Sequence, residues 1–410
     1  MLKMIFKIAW RNIGRNKKRT LITTLSVSAA LFLIILMRSM QFGFYDNIIH
    51  SIVQSYSGYI QVHSNGYWEK QSLNNAMEID DDLINKINSV DGVKNLTNRL
   101  QTFALVSKGE KSKGAIINGV EIEKEQLITD WNKKIIEGSQ YFDSTDQIVL
   151  SKGIAEYFNT KIGDTLVLFG QGYQGMMAAG KYVANGIIDL KNPGLNKMTI
   201  FMDIKSAQDY ISSDDIATHL IIDKEKYYNE KKIAENISNV ISDDYEVMTW
   251  KEILPELDQM ITADNVGGLI MAFILYVIVC FGMFGTVLMM TEERKYEFGV
   301  LLSIGMSKIK LYLIILLETI MLSSIGVIIG IILTRPISLY FNKNPIHMDS
   351  FGEGLSDAMG EFGFDPIIPF SINWDIPISH AIFIFCVSIL ISIYPAIRIF
   401  SLNPIKSMKQ

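Results

Sequence analysis

The chain has 410 residues, 49% hydrophobic and 20% charged, a balance that points away from a purely soluble protein and leaves room for two or three domains. The net charge of −5 says little alone, because the charges are unevenly placed, and nucleic acid is not expected among the partners. Two cysteines, Cys280 and Cys386, both lie in apolar runs and exclude a disulfide framework, and the five scattered histidines have no metal-ligand spacing.

The opening residues, 2–19, read as a helix with Lys3, Lys7, Arg11 and Arg15 in one basic stripe. Leu2, Ile5, Phe6, Ala9 and Ile13 cover the other side, so the helix is expected to lie in a membrane interface with Trp10 as an anchor. Leu21–Met37 follows without a charge, and Ser39–Tyr56 stays helix-compatible beyond it. The run is too long for a cleaved signal, and no A-x-A-like site follows it. Arg38 is expected near the outer headgroups, where its long side chain can snorkel.

Residues 46–263 alternate two kinds of segment. YSGYIQVHS, TFALVS, AIINGV, QIVLS, DTLVLFG, YVANGIID and MTIFMDI read as strands. DDLINKINSV, KGIAEYF, IKSAQDYI and YNEKKIAENISNVI read as amphipathic helices. The expectation is an α+β domain in two lobes. Asp80-Asp81-Asp82 and Asp214-Asp215 fit helix starts, where carboxylates complement the dipole. The stretch Gly175–Tyr182 matches G-x-x-x-x-G-K but has Tyr182 where a phosphate-binding loop needs Ser or Thr. It reads better as a hairpin tip, with Gly172, Tyr173, Met176 and Met177 offering an adaptable apolar contact to a partner or cargo. No Ser/His/Asp or Cys/His constellation supports hydrolase chemistry, so the chain is not expected to be an enzyme.

Three more apolar runs follow: Val266–Met290, Leu311–Leu333 with only Glu318, and Ile376–Ile397 with only His380. Each is long enough to cross about 30 Å of hydrocarbon at about 1.5 Å per residue. Glu318 is expected to pair with an interfacial Arg or Lys, and Gly326-x-x-x-Gly330 is compatible with dimerisation. Between the second and third runs, Tyr296–Ile304 reads as a short helix ended near Gly305, with Ser307 capping the next helix. Residues 335–375 read as an irregular acidic loop carrying one short helix at Leu355–Phe362.

Lys and Arg concentrate before the first run, after the second and in the tail, which puts both termini in the cytoplasm. The fold class is therefore an α-helical membrane protein with four transmembrane helices and a large extracytoplasmic α+β domain between helices 1 and 2. Its segments are an interfacial helix (1–20), the spans 21–45, 264–291, 311–334 and 376–398, the outside domain (46–263), a coupling loop (292–310), an outside loop (335–375) and a tail (399–410).

Three motifs carry a resemblance: AWRNIGRNKKRT at Ala9–Thr20, ERKYEFGVLLSIGMSKIKLYLIILLE at Glu293–Glu318 and YPAIRIFSLNPIKSM at Tyr394–Met408. The chain resembles ABC-transporter permeases of the FtsX-like family, a group that includes lipoprotein-release (Lol-type) and MacB-type members. In the pattern R-x-x-E-x-G-x-L-x-x-x-G the matches are Arg294, Glu297, Gly299, Leu301 and Gly305. The resemblance implies a mechanotransmitting, type VII exporter that pairs with a second permease chain and a cytosolic ABC ATPase dimer. ATP and Mg would be bound by that ATPase, with no cofactor in this chain. Phe298, Leu301 and Leu302 would dock in a groove of the ATPase. In Lol-type members an outside hairpin captures a periplasmic lipoprotein carrier, and Gly170–Ala184 is its positional counterpart, although Gly- and Met-rich. Lipoprotein release at a bacterial inner membrane is the function this likeness favours. The alternatives are MacB-like efflux with a periplasmic adaptor and regulation of a cell-wall hydrolase.

Overall fold

The computed structural model describes residues 2–401 other than 16, 191, 226, 227, 362 and 363. The side chains of residues 2, 3, 19, 54, 55 and 361 lie outside that description, as does the Asn403-Pro404-Ile405 part of the terminal pattern. The chain divides into two units: Met1–Tyr45, Ile261–Ile346 and Ile368–Gln410, and Asp46–Met260 with His347–Ile367.

Among the described residues, four helices are long and apolar enough to cross a membrane: Thr20–Val53, Pro255–Glu293, Lys308–Lys343 and Asp375–Ser401. Helices suit apolar surroundings because every backbone polar group is satisfied within the segment. Their hydroxyls fold back in the same way: Thr24 donates to the Thr20 carbonyl at 2.7 Å and Thr334 to that of Gly330 at 2.7 Å. Val27, Leu31, Val279, Met283, Val327 and Ile384 form the shared core of these helices. The third helix continues past residue 334, through Pro336, to Lys343, so the expected outside loop starts later than its composition suggests. Proline interrupts a helix least where neighbouring packing holds the turn, and Thr334 and Ser338 beside it are buried.

Gly326 and Gly330 are used inside the chain. A Cβ on Gly326 would lie 2.7 Å from the Val27 side chain and 3.1 Å from the Thr24 carbonyl, and one on Gly330 would lie 3.0 Å from the Leu31 side chain. The small pair lets the third helix approach the first, which corrects the dimerisation reading. Arg38 is also corrected. It is buried and donates to Asn265 Oδ1 of the second helix at 2.8 Å, with its guanidinium 4.4 Å from the Phe42 ring centroid of its own helix, so it is spent inside the helix packing rather than on headgroups.

The second unit is built on strands β1 (Ile60–Ser64), β2 (Met77–Glu78), β3 (Val93–Lys108), β4 (Lys111–Val120), β5 (Ile135–Gly138) and β6 (Gln147–Ser151). These continue as β7 (Thr165–Gln171), β8 (Met177–Ile188), β9 (Thr199–Asp203), β10 (Ile216–Ala217), β11 (His219–Lys224) and β12 (Tyr245–Thr249). The order β12-β1-β11-β3, with helices Asp81–Asn88 and Glu230–Val240 crossing between them, is that of a split βαβ, ferredoxin-like lobe. Its core holds Ile60, Val62, Leu83, Ile87, Leu220, Ile222 and Ile233.

Everything from β4 to β9 is an insertion between the second and third strands of that lobe. Within it, β3 pairs β4 and β7, β4 pairs β9, β9 pairs β6, β6 pairs β8, and β8 pairs β7. That circuit closes on itself and leaves no free edge among its six strands. Leu100, Val106, Ile117, Leu150, Leu168, Ile200 and Met202 fill the second core. The long strand β3 belongs to both lobes: its first half pairs β11 and its second half pairs β7. Asp80 Oδ1 caps its helix by accepting from Leu83 N at 2.6 Å. Asp214 and Asp215 do not start a helix; they follow Ile204–Ile211 and lead into β10.

Candidate coupling site

Between the second and third apolar helices, Lys295–Ser303 forms the short helix expected there. Gly305, at φ 101°, ends it. Gly305 N–H bonds the Leu302 carbonyl at 3.1 Å and Met306 N–H that of Leu301 at 3.0 Å, a two-bond αL cap that glycine makes without a Cβ penalty. Ser307 Oγ then accepts from Lys310 N at 3.4 Å and starts the third helix.

Sequence spacing alone would place Phe298, Leu301 and Leu302 on an open apolar face. Phe298 is buried against Leu311, Ile315 and Ile399, and Leu301 and Leu302 pack at the edge of that cluster. Gly299 is buried as well, with its carbonyl accepting from Ser303 Oγ at 2.9 Å. Phe298 is therefore an internal anchor, which corrects its expected role as a docking residue. The apolar groups left outside are Tyr296, Ile304 and Ile309, of which Ile304 is 79% exposed. They escaped the sequence reading because they share no helical face, lying in the helix, its cap and the next helix.

The charges form a chain. Arg294, buried at the start of the helix, donates through Nη1 to Glu318 Oε2 at 2.8 Å and through Nε to Glu297 Oε2 at 3.2 Å. Arg15 Nη2 donates to both oxygens of Glu297, at 2.7 and 2.8 Å, and Asn12 Nδ2 reaches Glu318 Oε2 at 3.4 Å. Burial alone would raise the Glu297 carboxyl, but the hydrogen bond and charge of Arg15, with Arg294 behind it, hold it below the ordinary range. The Glu297 hydrogen bond in turn raises the Arg15 guanidinium. Glu318 has the cationic partner the sequence required, and the partner is Arg294.

The N-terminal helix Leu2–Arg15 supplies Arg15. Ile5 and Ala9 pack on Ile314, and Ile13 on Met290 and Leu322, so much of its apolar side is used against the chain itself. Met4, Phe6 and Trp10 remain exposed, as do Lys7 and Arg11, while the Lys3 side chain lies outside the described residues.

In the second unit the hairpin β7–β8 carries the other expected site. Gly172 N–H closes its tip on the Met176 carbonyl at 2.7 Å, and Gln174 N–H is held by Asn74 Oδ1 at 2.9 Å. Tyr173 packs on the barrel core, leaving Met176 and Met177 exposed. The G-x-x-x-x-G-K stretch runs up β8, an extended strand without the loop-to-helix turn that cradles phosphate.

Comparison with known families bears on both units. The FtsX-like permease C-terminal family model matches residues 269–404, and the MacB-like periplasmic core domain model matches residues 20–236, just over half the chain. The chain belongs to the FtsX/MacB-like permease family. Such permeases are membrane components of ABC-type transporters and work with ATPase partners, and the MacB-like match gives this permease a large extracytoplasmic α/β domain. No curated protein matches it.

Similar solved structures include the extracellular domain of the noncanonic ABC-type transporter YknZ from Gram-positive bacteria. It is 14% identical, with 47% of the permease covering all of that chain at a TM-score of 0.34. The periplasmic region of MacB from Actinobacillus actinomycetemcomitans is 13% identical, with 51% of the permease over 95% of that chain at 0.36. A domain of a putative permease protein from Porphyromonas gingivalis is 9% identical, with 47% over 90% at 0.29.

Proposed function

We propose that this permease takes ATP-driven motion from separate cytosolic ATPase subunits at Lys295–Gly305 and passes it through its apolar helices to the extracytoplasmic domain. The observation that carries the reading is the contrast within one helix. Arg294 and Phe298 lock it to the third apolar helix, while Ile304 and Tyr296 stand out beside it. An exposed apolar knob on a rigid element suits a groove in a partner, and the rigid attachment passes displacement on. In this reading both termini and the coupling helix face the cytoplasm, and Lys7, Trp10 and Arg11 meet lipid. The exposed second helix, with Phe273 and Phe281 outward, suits a second permease chain.

The cargo we assign is a lipoprotein released toward the outer membrane, with Met176 and Met177 as the apolar contact for it or its carrier. Depleting the permease should strand outer-membrane lipoproteins in the inner membrane, and normal sorting would remove this assignment. The match to the MacB-like core domain supports a second reading, efflux with a periplasmic adaptor. Recovery of an adaptor and an outer-membrane channel with the tagged permease would select it. For the coupling role itself, Ile304→Asp in a reconstituted permease–ATPase complex should abolish permease-stimulated ATP turnover, whereas unchanged turnover would refute it.

A further inference from the structure

A cavity of about 440 Å³ lies wholly within the second unit, a size typical of small-molecule sites. One wall is aromatic. His63 stacks on Tyr67 with centroids 5.4 Å apart, and Trp68 and His219 stand at 5.6 and 5.7 Å from the same imidazole. Leu190, Leu195 and Met198 supply an aliphatic wall.

The polar groups have defined roles. His63 Nδ1 faces the Thr218 carbonyl at 3.4 Å and so carries the proton, which leaves Nε2 with a lone pair. That Nε2 is buried and has no partner in the protein. The Thr218 hydroxyl gives its own proton to the Arg99 carbonyl at 3.0 Å. The His219 Nδ1 lies 2.9 Å from that hydroxyl. Burial lowers His63 to about 4 and His219 well below its ordinary value, so both rings are neutral near pH 7. Among the described residues lining the cavity Arg99 is the one charged side chain, and it is engaged by Glu125 and the Tyr56 ring, with its Nε left unpartnered. The site thus offers flat apolar surface and an unused acceptor, with no free counter-charge among the described residues.

We propose that this cavity binds a neutral aromatic molecule bearing an O–H or N–H donor. The donor meets the imidazole lone pair, and the ring lies against the aromatic wall. This site is independent of the coupling helix and of the lipoprotein reading.

The test titrates 2-naphthol into the full-length permease in lipid nanodiscs, with empty nanodiscs subtracted, by calorimetry. Saturable binding of one molecule per chain is expected. Its methyl ether, 2-methoxynaphthalene, which lacks the donor, should bind ~10-fold more weakly. Leu195→Trp should abolish binding by filling the cavity, and His63→Phe should erase the difference between the two ligands. Heats equal to empty nanodiscs, equal affinity of the ether, tighter binding of 2-naphthoate, or unchanged affinity in a folded Leu195→Trp would each overturn the proposal. If Leu195→Trp does not fold, the alcohol–ether pair on the unmodified protein still decides.

Discussion

Arg294 and Glu318 form a buried ion pair at 2.8 Å, tying the start of the short helix Lys295–Ser303 to the third apolar helix. The carboxylate lies inside an apolar run, where an unpaired charge is costly, and the guanidinium neutralises it while also reaching Glu297. Removing one member of such a pair costs roughly 3–5 kcal/mol, whereas replacing both by apolar groups is far milder. Glu318→Ala should lower the melting midpoint of the purified protein strongly. The double substitution Arg294→Met with Glu318→Leu should recover most of the loss, and equal damage from single and double variants would show that the pair is not the cause.

Phe298 and Ile304 should separate stability from coupling. Phe298 is a buried anchor, so Phe298→Ala should destabilise by about 3 kcal/mol or more. Ile304→Asp, at an open position, should leave the melting curve within ~0.5 kcal/mol of the parent yet remove ATPase stimulation. Thermal unfolding and ATP turnover measured on the same preparations would distinguish the two.

The helix contact at Gly326 allows no added bulk. Gly326→Leu must displace Val27 or the backbone at Thr24, and overpacking of this kind costs about 1–3 kcal/mol. We expect reduced thermal stability with unchanged oligomeric state in cross-linking. A variant that stayed as stable but lost self-association would restore the dimerisation reading.

The buried histidines set an acid limit on the second unit. An unfolded histidine titrates near 6.5, roughly, and takes up a proton that folded His63 refuses until pH falls to about 4. Stability is therefore full above about 6.5 and is lost as pH drops toward 4, by about 3 kcal/mol for His63 alone, with His219 adding in the same direction. Denaturant titrations from pH 7.5 to 4.5 should show this slope, and His63→Phe should flatten it.

Much of this protein is legible without coordinates, and the legible parts share a cause. Four apolar runs announce helices because hydrophobicity and length act locally, and most of the expected strands and amphipathic helices of residues 46–263 lie where alternation or helical period put them. The short helix ended by Gly305 and capped by Ser307 also follows from local chemistry. Strands β2, β5, β10, β11 and β12 are not among those alternation marks: the first three are only two to four residues long, β11 is a short apolar run and β12 mixes its faces.

Partnership is another matter. The sequence by itself determined that Glu318 needed a cation, that Gly326 and Gly330 invited a close helix, and that Phe298 was apolar. Only the tertiary structure decided that the cation is Arg294, that the helix is the chain's own first one, and that Phe298 is covered while Ile304 is not. The reason is distance along the chain. Helical period and capping act over a few residues, but the contacts that choose among equally apolar faces join segments hundreds of residues apart.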